Sequence, residues 1–414
     1  MLTKQLPLET ALSQQEAHKA LSGRDRAFAR LIAATTLRRL GQIEGALKPY
    51  IKQRPPALIM ALLQSGAAQL IYLDTPVHAA VGETVKIFKS RPNLKGFSGM
   101  ANAVLRRVSE NGKKLAAHIA PQENIPKWLR RSWEDSYGRT ITRKMALALL
   151  ADPPLDISVK KDPELWAKKL EAEYLPGGTL RRPKIGDVSA LPGFSEGEWW
   201  AQDIAASLPA KLWGPLEGQS VLDMCAAPGG KTLQLATAGA QVTAIDRSER
   251  RAKRISENLA RTGLEADIII SDALDYSPET ILFDKILLDA PCSATGTFRR
   301  HPDVIYNKTP KDIEALAKIQ DTLLEKAASL VRPGGEIIYC TCSLQPEEGE
   351  DRVLQFLQNM PDFRLIPILA DSWSDLEMQH STEGFVRSFP HFLSDRGGMD
   401  GFFIARIIRN NSSL

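Results

Sequence analysis

From about residue 206 onward the chain alternates between short apolar runs and amphipathic stretches, and few folds accept that alternation. Runs of strand length lie at 220–224, 241–246, 266–271, 283–289 and 336–340. Helix-like stretches at 231–238, 248–262 and 311–331 separate them. The last carries Ile313, Leu316, Leu323, Leu324, Ala327 and Leu330 on one side and runs to Pro333-Gly334-Gly335. Strands separated by helices pair in parallel, with helices packed on both sheet faces. The expected fold for 206–414 is therefore α/β, a doubly wound and mostly parallel sheet.

Upstream the pattern changes. Residues 1–120 read as all-helical. Leu58, Ile59, Leu62, Leu63, Gly66, Ala67, Leu70 and Ile71 form one helical stripe, and Phe97, Met100, Val104, Leu105 and Val108 form another. Pro55-Pro56, Pro76 and Pro92 punctuate the segment. This end is basic: 18 Lys and Arg against 7 Asp and Glu give +11, whereas the other 294 residues carry 35 against 42, a net of −7. Such a surface suits a polyanion, nucleic acid above all, although a solvated helical surface fits the charge equally well. Residues 121–205 read as a small α+β module, with a strand at 155–159, a helix at 162–174 and a turn at Pro176-Gly177-Gly178.

At 414 residues the chain has room for two or three domains. No apolar run approaches the ~18 residues of a membrane span, and the first ten residues lack an apolar signal core. A cytoplasmic protein is expected. Four cysteines make no disulfide framework, and neither paired CxxC motifs nor HxxxH appears, so no metal site is expected.

In open parallel sheets ligands bind beyond the carboxyl ends of the strands. The first strand delivers Cys225-Ala226-Ala227-Pro228-Gly229-Gly230-Lys231, the second Asp246, the third Asp272, the fourth Asp289 and Cys292, and the fifth Cys342. All reactive side chains thus fall on one rim. The glycines allow close backbone approach to a ligand, and the next helix turns its free N–H groups there. Neither phosphate-loop spacing nor G-x-G-x-x-G is present, since Cys225 stands where the former needs glycine. An acidic residue ending the second strand, here Asp246, holds ribose hydroxyls in such sheets, and Asp272 is placed to accept from an adenine amino group. Each aspartate alone is better explained by helix capping; the combination is not. Cys292 and Cys342 are the candidate reactive thiols; Cys225 and Cys340 read as structural.

These residues resemble the Nop/Sun family of RNA cytosine-5 methyltransferases, in its bacterial RsmB-type branch. The resemblance rests on Val221–Thr232, on 289–296 with Arg299-Arg300-His301-Pro302-Asp303, on 339–343 followed by Pro346-Glu347-Glu348, on Gln202-Asp203 and on Gly401-Phe402-Phe403-Ile404-Ala405. Ala205-Ala206 departs from the Ser-rich pair often found after the Gln-Asp motif. Arg24-Asp25-Arg26-Ala27-Phe28, Leu73-Asp74-Thr75-Pro76 and 99–106 resemble the helical RNA-binding fold of the antitermination factor NusB. The resemblance implies a Rossmann-like methyltransferase domain using S-adenosylmethionine, bound by 225–231, Asp246, Asp272 and Asp289. It implies Cys342 as nucleophile toward cytosine C6, Asp289 as partner of N3 and the exocyclic amine, and Cys292 as base for the C5 proton. The implied partner is RNA, small-subunit ribosomal RNA first; no membrane and no obligate protein partner is expected. Lys231 is read as meeting the cofactor or capping the loop. Arg299, Arg300 and the helix face Arg250, Arg251 and Arg254 are read as phosphate contacts, or for that helix as a solvated face.

Three rivals stand beside this reading: a transfer-RNA enzyme, a DNA cytosine-5 methyltransferase that would use Cys292 as nucleophile, and a non-catalytic RNA-binding assembly factor. Thr341-Cys342 favours RNA over DNA, and neither the cysteines nor the Gly-rich loop has been lost. A nicotinamide dehydrogenase lacks its glycine fingerprint. If the basic segment makes phosphate contacts, filter-binding affinity for RNA falls steeply between low and high salt; a flat profile would remove its assigned role.

Overall fold

The computed structural model describes residues 5–183, 186–278, 282–373 and 376–411; the first four residues of the segment read for an export signal lie outside these. The chain divides into two compact units, Met1–Leu150 with Arg300–Lys308, and Ala151–Arg299 with Thr309–Leu414. Among the described residues no helix is long and apolar enough to cross a membrane.

The first unit is helical, as its periodicity implies. Helices span Gly23–Arg38, Leu40–Leu47, Ala57–Tyr72, Val77–Ser90 and Ser98–Ala117. Their core includes Ile43, Leu47, Leu63, Ala67, Phe88, Leu105 and Val108. The stripe on Ala57–Tyr72 differs at one end: Leu58 is exposed, while Met60, Gln64 and Ala68 are buried. Neighbouring helices cover this one on more than a single face, so its burial is wider than a one-sided stripe. Gly66 permits part of that crowding, because a Cβ there would come within 3.0 Å of Thr84 Oγ1 and 3.1 Å of Leu105.

A further helix, Lys127–Leu149, falls where the sequence reads as mixed. It breaks at Gly138 (φ 80°, ψ 160°), and its buried residues are Leu129 and Trp133 before the break and Thr142, Met145, Ala146 and Leu149 after it. The break shifts the phase between two short stripes, so no single period runs through the segment. Residues Arg300–Lys308 pack in this unit: Leu8 N–H donates to Asp303 Oδ2 at 3.0 Å and Tyr306 Oη donates to Leu37 O at 3.0 Å.

The second unit holds two sheets. The smaller contains β1 (Leu155–Val159), β2 (Glu173–Leu175), β3 (Thr179–Arg182) and β4 (Trp199–Ala201) in the antiparallel order β2-β3-β1-β4. The expected helix over 162–174 is shorter, Pro163–Lys169. Glu171 adopts φ +50°, which ends the helix, and residues 173–175 pair with β3 across the Pro-Gly-Gly turn. Asp156 on β1 and Arg181 on β3 form a buried bidentate pair, both bonds 2.7 Å, and Asp156 Oδ2 also accepts from Ile204 N–H at 3.0 Å. This pair ties the small sheet to the helix Ile204–Lys211 that leads into the larger sheet.

The larger, nine-stranded sheet comprises β5 (Ser220–Met224), β6 (Gln241–Asp246), β7 (Asp267–Ile270), β8 (Phe283–Asp289), β9 (Val331–Thr341), β10 (Phe363–Ile366), β11 (Gln379–His380), β12 (Val386–Ser388) and β13 (Phe402–Arg409). Its order is β11-β12-β13-β9-β8-β5-β6-β7, with β10 beside β13. The five strands read from the sequence pair in parallel, and β13 joins β9 antiparallel. The chain winds outward from β5 through β6 to β7, then returns to the other side for β8 and β9. A crevice therefore opens between β5 and β8, the position at which such sheets bind ligands. One detail differs from expectation: Pro333-Gly334-Gly335 lies within the irregular first part of β9, where the register against β8 shifts, and the helix Pro310–Leu330 already ends before it.

Replacing Arg181 with leucine would strand a buried carboxylate; loss of such a partner costs about 3–5 kcal/mol, read as a lower denaturation midpoint of the second unit.

Candidate active site

The Gly-rich loop leaves β5 at Cys225, whose φ of +62° turns the chain sharply. Ala226 N–H donates to Ile245 O at 2.9 Å, and Ala227 N–H donates to Asp246 Oδ2 at 3.1 Å. Asp246 Oδ1 accepts from Ser248 N–H at 2.9 Å, while the helix Glu249–Thr262 is capped by Ser248 itself. Asp246 is thus not a helix cap; it braces the loop. Gly229 (φ +100°) begins the helix Gly230–Thr237, and a Cβ there would press on Ile255 at 3.2 Å. Arg251 donates to Ala227 O at 2.6 Å and pairs with Asp246 at 3.3 Å, so it braces the loop. Arg299, by contrast, is fully buried and offers no phosphate contact at the surface.

Across the crevice β8 ends in Asp289. Lys231, almost fully buried, donates to Asp289 Oδ2 at 2.7 Å and lies 4.9 Å from the centre of the Phe402 ring. Burial alone would lower the Lys231 pKa, but the charges of Asp289, Cys340 and Asp223 and the Asp289 hydrogen bond raise it overall. The ammonium stays charged and fixes the carboxylate beside it. Asp272 is half-buried past β7, and its Oδ1 accepts from Leu274 N–H at 3.0 Å, an Asx turn with no helix to cap.

The cysteines separate into two kinds. Cys340 is wholly buried on β9, and burial followed by the Asp289 charge pushes its pKa well above normal. Burial, then the carboxylates of Asp289, Asp246 and Asp223, push the Cys225 thiol up to about 12. Neither is a reactive thiolate. Cys292 and Cys342 are half-buried, and their sulfur atoms lie 3.5 Å apart. The contact with Cys342, then burial, then the charges of Cys342 and Glu348 raise the Cys292 pKa well above normal. The register Asp289↔Cys340 brings the two loops together as their strands end.

Two buried carboxylates escaped the sequence reading. Asp223 on β5 accepts from Thr232 Oγ1 at 2.6 Å through Oδ2, while Oδ1 is buried with no hydrogen-bond partner among the described residues. Burial, opposed by that bond, pushes its pKa up to about 7. Glu348 is also fully buried, and its carboxylate accepts from Ser293 N–H at 2.8 Å and Ser343 Oγ at 2.6 Å. Asp223 sits inside an apolar strand and Glu348 in an acidic-looking turn; only their burial distinguishes them, and a local pattern does not reveal that.

Gly296 completes the site. Its N–H donates to Cys342 O at 2.9 Å, its carbonyl accepts from Gly401 N–H at 2.9 Å, and a Cβ there would fall 2.0 Å from Gly401 O and 2.8 Å from Cys342 O. Among the described residues no His, Cys, Asp and Glu cluster is arranged to hold a metal ion.

A family profile described as 16S rRNA methyltransferase RsmB/F matches residues 210–408, and the NusB family matches residues 1–110. Over 418 residues the chain is 35% identical to ribosomal RNA small subunit methyltransferase B of Pseudomonas putida, covering 93% of this chain and 91% of that one. The chain belongs to this methyltransferase family. The corresponding protein of Vibrio cholerae is 36% identical over 377 residues, 84% of this chain and 85% of that one. In three dimensions a methyltransferase homolog from Pyrococcus horikoshii superposes with a TM-score of 0.57 at 28% identity, covering 69% of this chain and 95% of that one. An RsmB/F-family member with a NusB-like N-terminal segment is the architecture that the sequence resemblance implied.

Because folding raises the Asp223 pKa, the folded state holds a proton that the unfolded chain releases. Stability from this group is full at acid pH and is lost as pH rises toward and through about 7. Asp223→Asn would therefore flatten the fall in denaturation midpoint between pH 5 and 8.

Proposed function

We infer that this chain is an S-adenosylmethionine-dependent RNA methyltransferase that modifies C5 of a cytosine in small-subunit ribosomal RNA. The observation that carries the chemistry is the pair of half-buried thiols 3.5 Å apart beside a carboxylate held by a buried lysine. Action in the cytoplasm fits an RNA of the ribosome. Residues 1–120 are proposed as the RNA-holding module, 206–414 as the catalytic module, and 121–205 as the segment joining them.

The residues present suit the cofactor. The crevice sets the carboxylates Asp223, Asp246 and Asp289 against Lys231 and the half-exposed Arg251, and this acidic surplus favours a cationic sulfonium. Asp246 uses its two oxygens on Ala227, Ser248 and Arg251 and keeps acceptor capacity for ribose hydroxyls. Asp272 would face the adenine end, and 225–231 would lie along the methionine part. When bound, S-adenosylmethionine supplies an electrophilic methyl group.

The protein's own part begins with Cys342. Its thiolate adds to cytosine C6, and the ring becomes an enamine whose C5 carries nucleophilic electron density. Asp289, held by Lys231, accepts from the exocyclic amine and favours a proton at N3 as charge builds on the ring. Cys292 acts last. Its pKa is raised first by contact with the Cys342 sulfur, and a bond from that sulfur to C6 removes this cause. Cys292 can then lose its proton to solvent and take the one on C5, after which Cys342 is expelled and product leaves. A stacked base is out of reach, so the target must be unpaired or flipped.

The two thiols give opposite phenotypes. Cys342→Ala is expected to abolish methylation of 16S RNA from cells lacking the enzyme and to form no adduct. Cys292→Ala is expected to accumulate a protein–RNA species that survives denaturing electrophoresis. Full activity in Cys342→Ser would overturn the assignment, and activity lost only through Cys292, with no adduct, would favour the DNA-enzyme scheme.

A further inference from the structure

Glu348 has no part in the steps above, yet among the described residues it is the carboxylate bonded to both thiol-bearing loops. Oε1 accepts from Ser293 N–H at 2.8 Å and from Gln320 Nε2 at 3.2 Å. Oε2 accepts from Ser343 Oγ at 2.6 Å and from Ser293 Oγ. Its carbonyl accepts from Tyr339 Oη at 2.9 Å and Thr341 Oγ1 at 3.2 Å. Ser293 directly follows Cys292, and Ser343 directly follows Cys342. Gln320, from the helix Pro310–Leu330, also donates to Pro291 O at 2.9 Å, immediately before Cys292.

A fully buried carboxylate is costly unless its lone pairs are filled, and here neutral donors fill them. The arrangement is therefore rigid. The two loops come from different strands, and β8 and β9 set only their coarse spacing. The carboxylate sets the fine spacing, because each thiol lies one residue from a group bonded to it.

We propose that Glu348 is a positioning residue of the methyl-transfer reaction: it clamps Ser293 and Ser343 so that the two sulfurs stay in contact. This rests on the roles assigned to the two thiols above. Charge around Cys292 comes from several elements. Cys342 and Tyr339 face it from β9 and its end, and Glu348 from the turn beyond. Arg352, on the helix Glu350–Asn359, acts on Tyr339 in the opposite sense. Asp289, Lys231 and Asp223 act on Cys340, which also feels Cys342. Within this group Glu348 alone bonds to both loops. The clamp holds the Cys292 and Cys342 sulfurs 3.5 Å apart, a contact in which either thiol can donate.

The test compares wild type with Glu348→Gln and Glu348→Asp in the full chain. In Glu348→Gln, kcat is expected to fall by about 10²-fold, the cost of roughly 1 Å of misplacement, with KM for S-adenosylmethionine unchanged. The limb of the pH–rate profile assigned to Cys292 should move to lower pH. Iodoacetamide labelling at pH 8, resolved by peptide mass spectrometry, should rise at Cys292 relative to Cys342. Glu348→Asp keeps the charge one methylene short and should restore the labelling ratio better than the rate. A folded Glu348→Gln with wild-type kcat and wild-type labelling overturns the proposal. If that variant does not fold, Ser343→Ala frees one loop from the carboxylate, together with that hydroxyl's bonds to Ser293, Thr295 and Gln345, and wild-type kcat there overturns the clamp. Labelling needs no turnover, so the outcomes separate: activity retained in Cys342→Ser sinks the thiol assignment, whereas an unchanged labelling ratio in the Glu348 variant sinks the clamp.

Discussion

The position of β8 between β5 and β9 governs the whole reactive rim. Parallel pairing sets Met224 level with Leu288 and Asp289 level with Cys340. Three strands therefore terminate side by side, and the loops that follow them share one crevice. Topology supplies the crevice, because the winding direction reverses between β5 and β8. Apolar burial then holds the register: Leu222, Met224, Ile286, Leu288, Ile337 and Tyr339 belong to one core and are essentially inaccessible. A slip of one residue would turn these side chains to the opposite face, so the hydrophobic pattern itself protects the alignment of the functional groups.

Electrostatics at this rim is unusual for an interior. Four carboxylates, Asp223, Asp246, Asp289 and Glu348, gather near the strand ends, and each is handled differently. Asp246 is spent on backbone N–H groups, Asp289 on an ammonium, Glu348 on hydroxyls and an amide, and Asp223 on one threonine. The surplus of negative charge suits a positively charged donor of a carbon group and disfavours ionisation of the structural thiols. Of the four cysteines, Cys292 and Cys342 are the half-buried pair whose sulfur atoms meet.

Much of this was legible in the sequence, for identifiable reasons. Strands at 220–224, 241–246 and 283–289 were readable to the residue because each is a dense apolar run bounded by an aspartate or a glycine-rich turn. The expectation that Asp246, Asp272, Asp289, Cys292 and Cys342 share one rim followed from their places at the carboxyl ends of strands that run parallel. The helix Lys127–Leu149 was hidden by the phase shift at Gly138, and the helix from Pro163 ended early through Glu171 in a left-handed conformation. Leu58 and Arg299 lie on opposite sides of the burial boundary from what their types suggest. Long-range partnerships such as Glu348 with Ser293 carry no local signature, because donor and acceptor sit 55 residues apart.

Gly296 has a mechanical consequence. Its missing side chain lets the segment after Cys292 lie flat between the carbonyl of Cys342 and the backbone of Gly401, the residue before β13. The loops that follow β8 and β9 are thus laminated against the start of β13, and a single methyl group at position 296 would pry the layers apart.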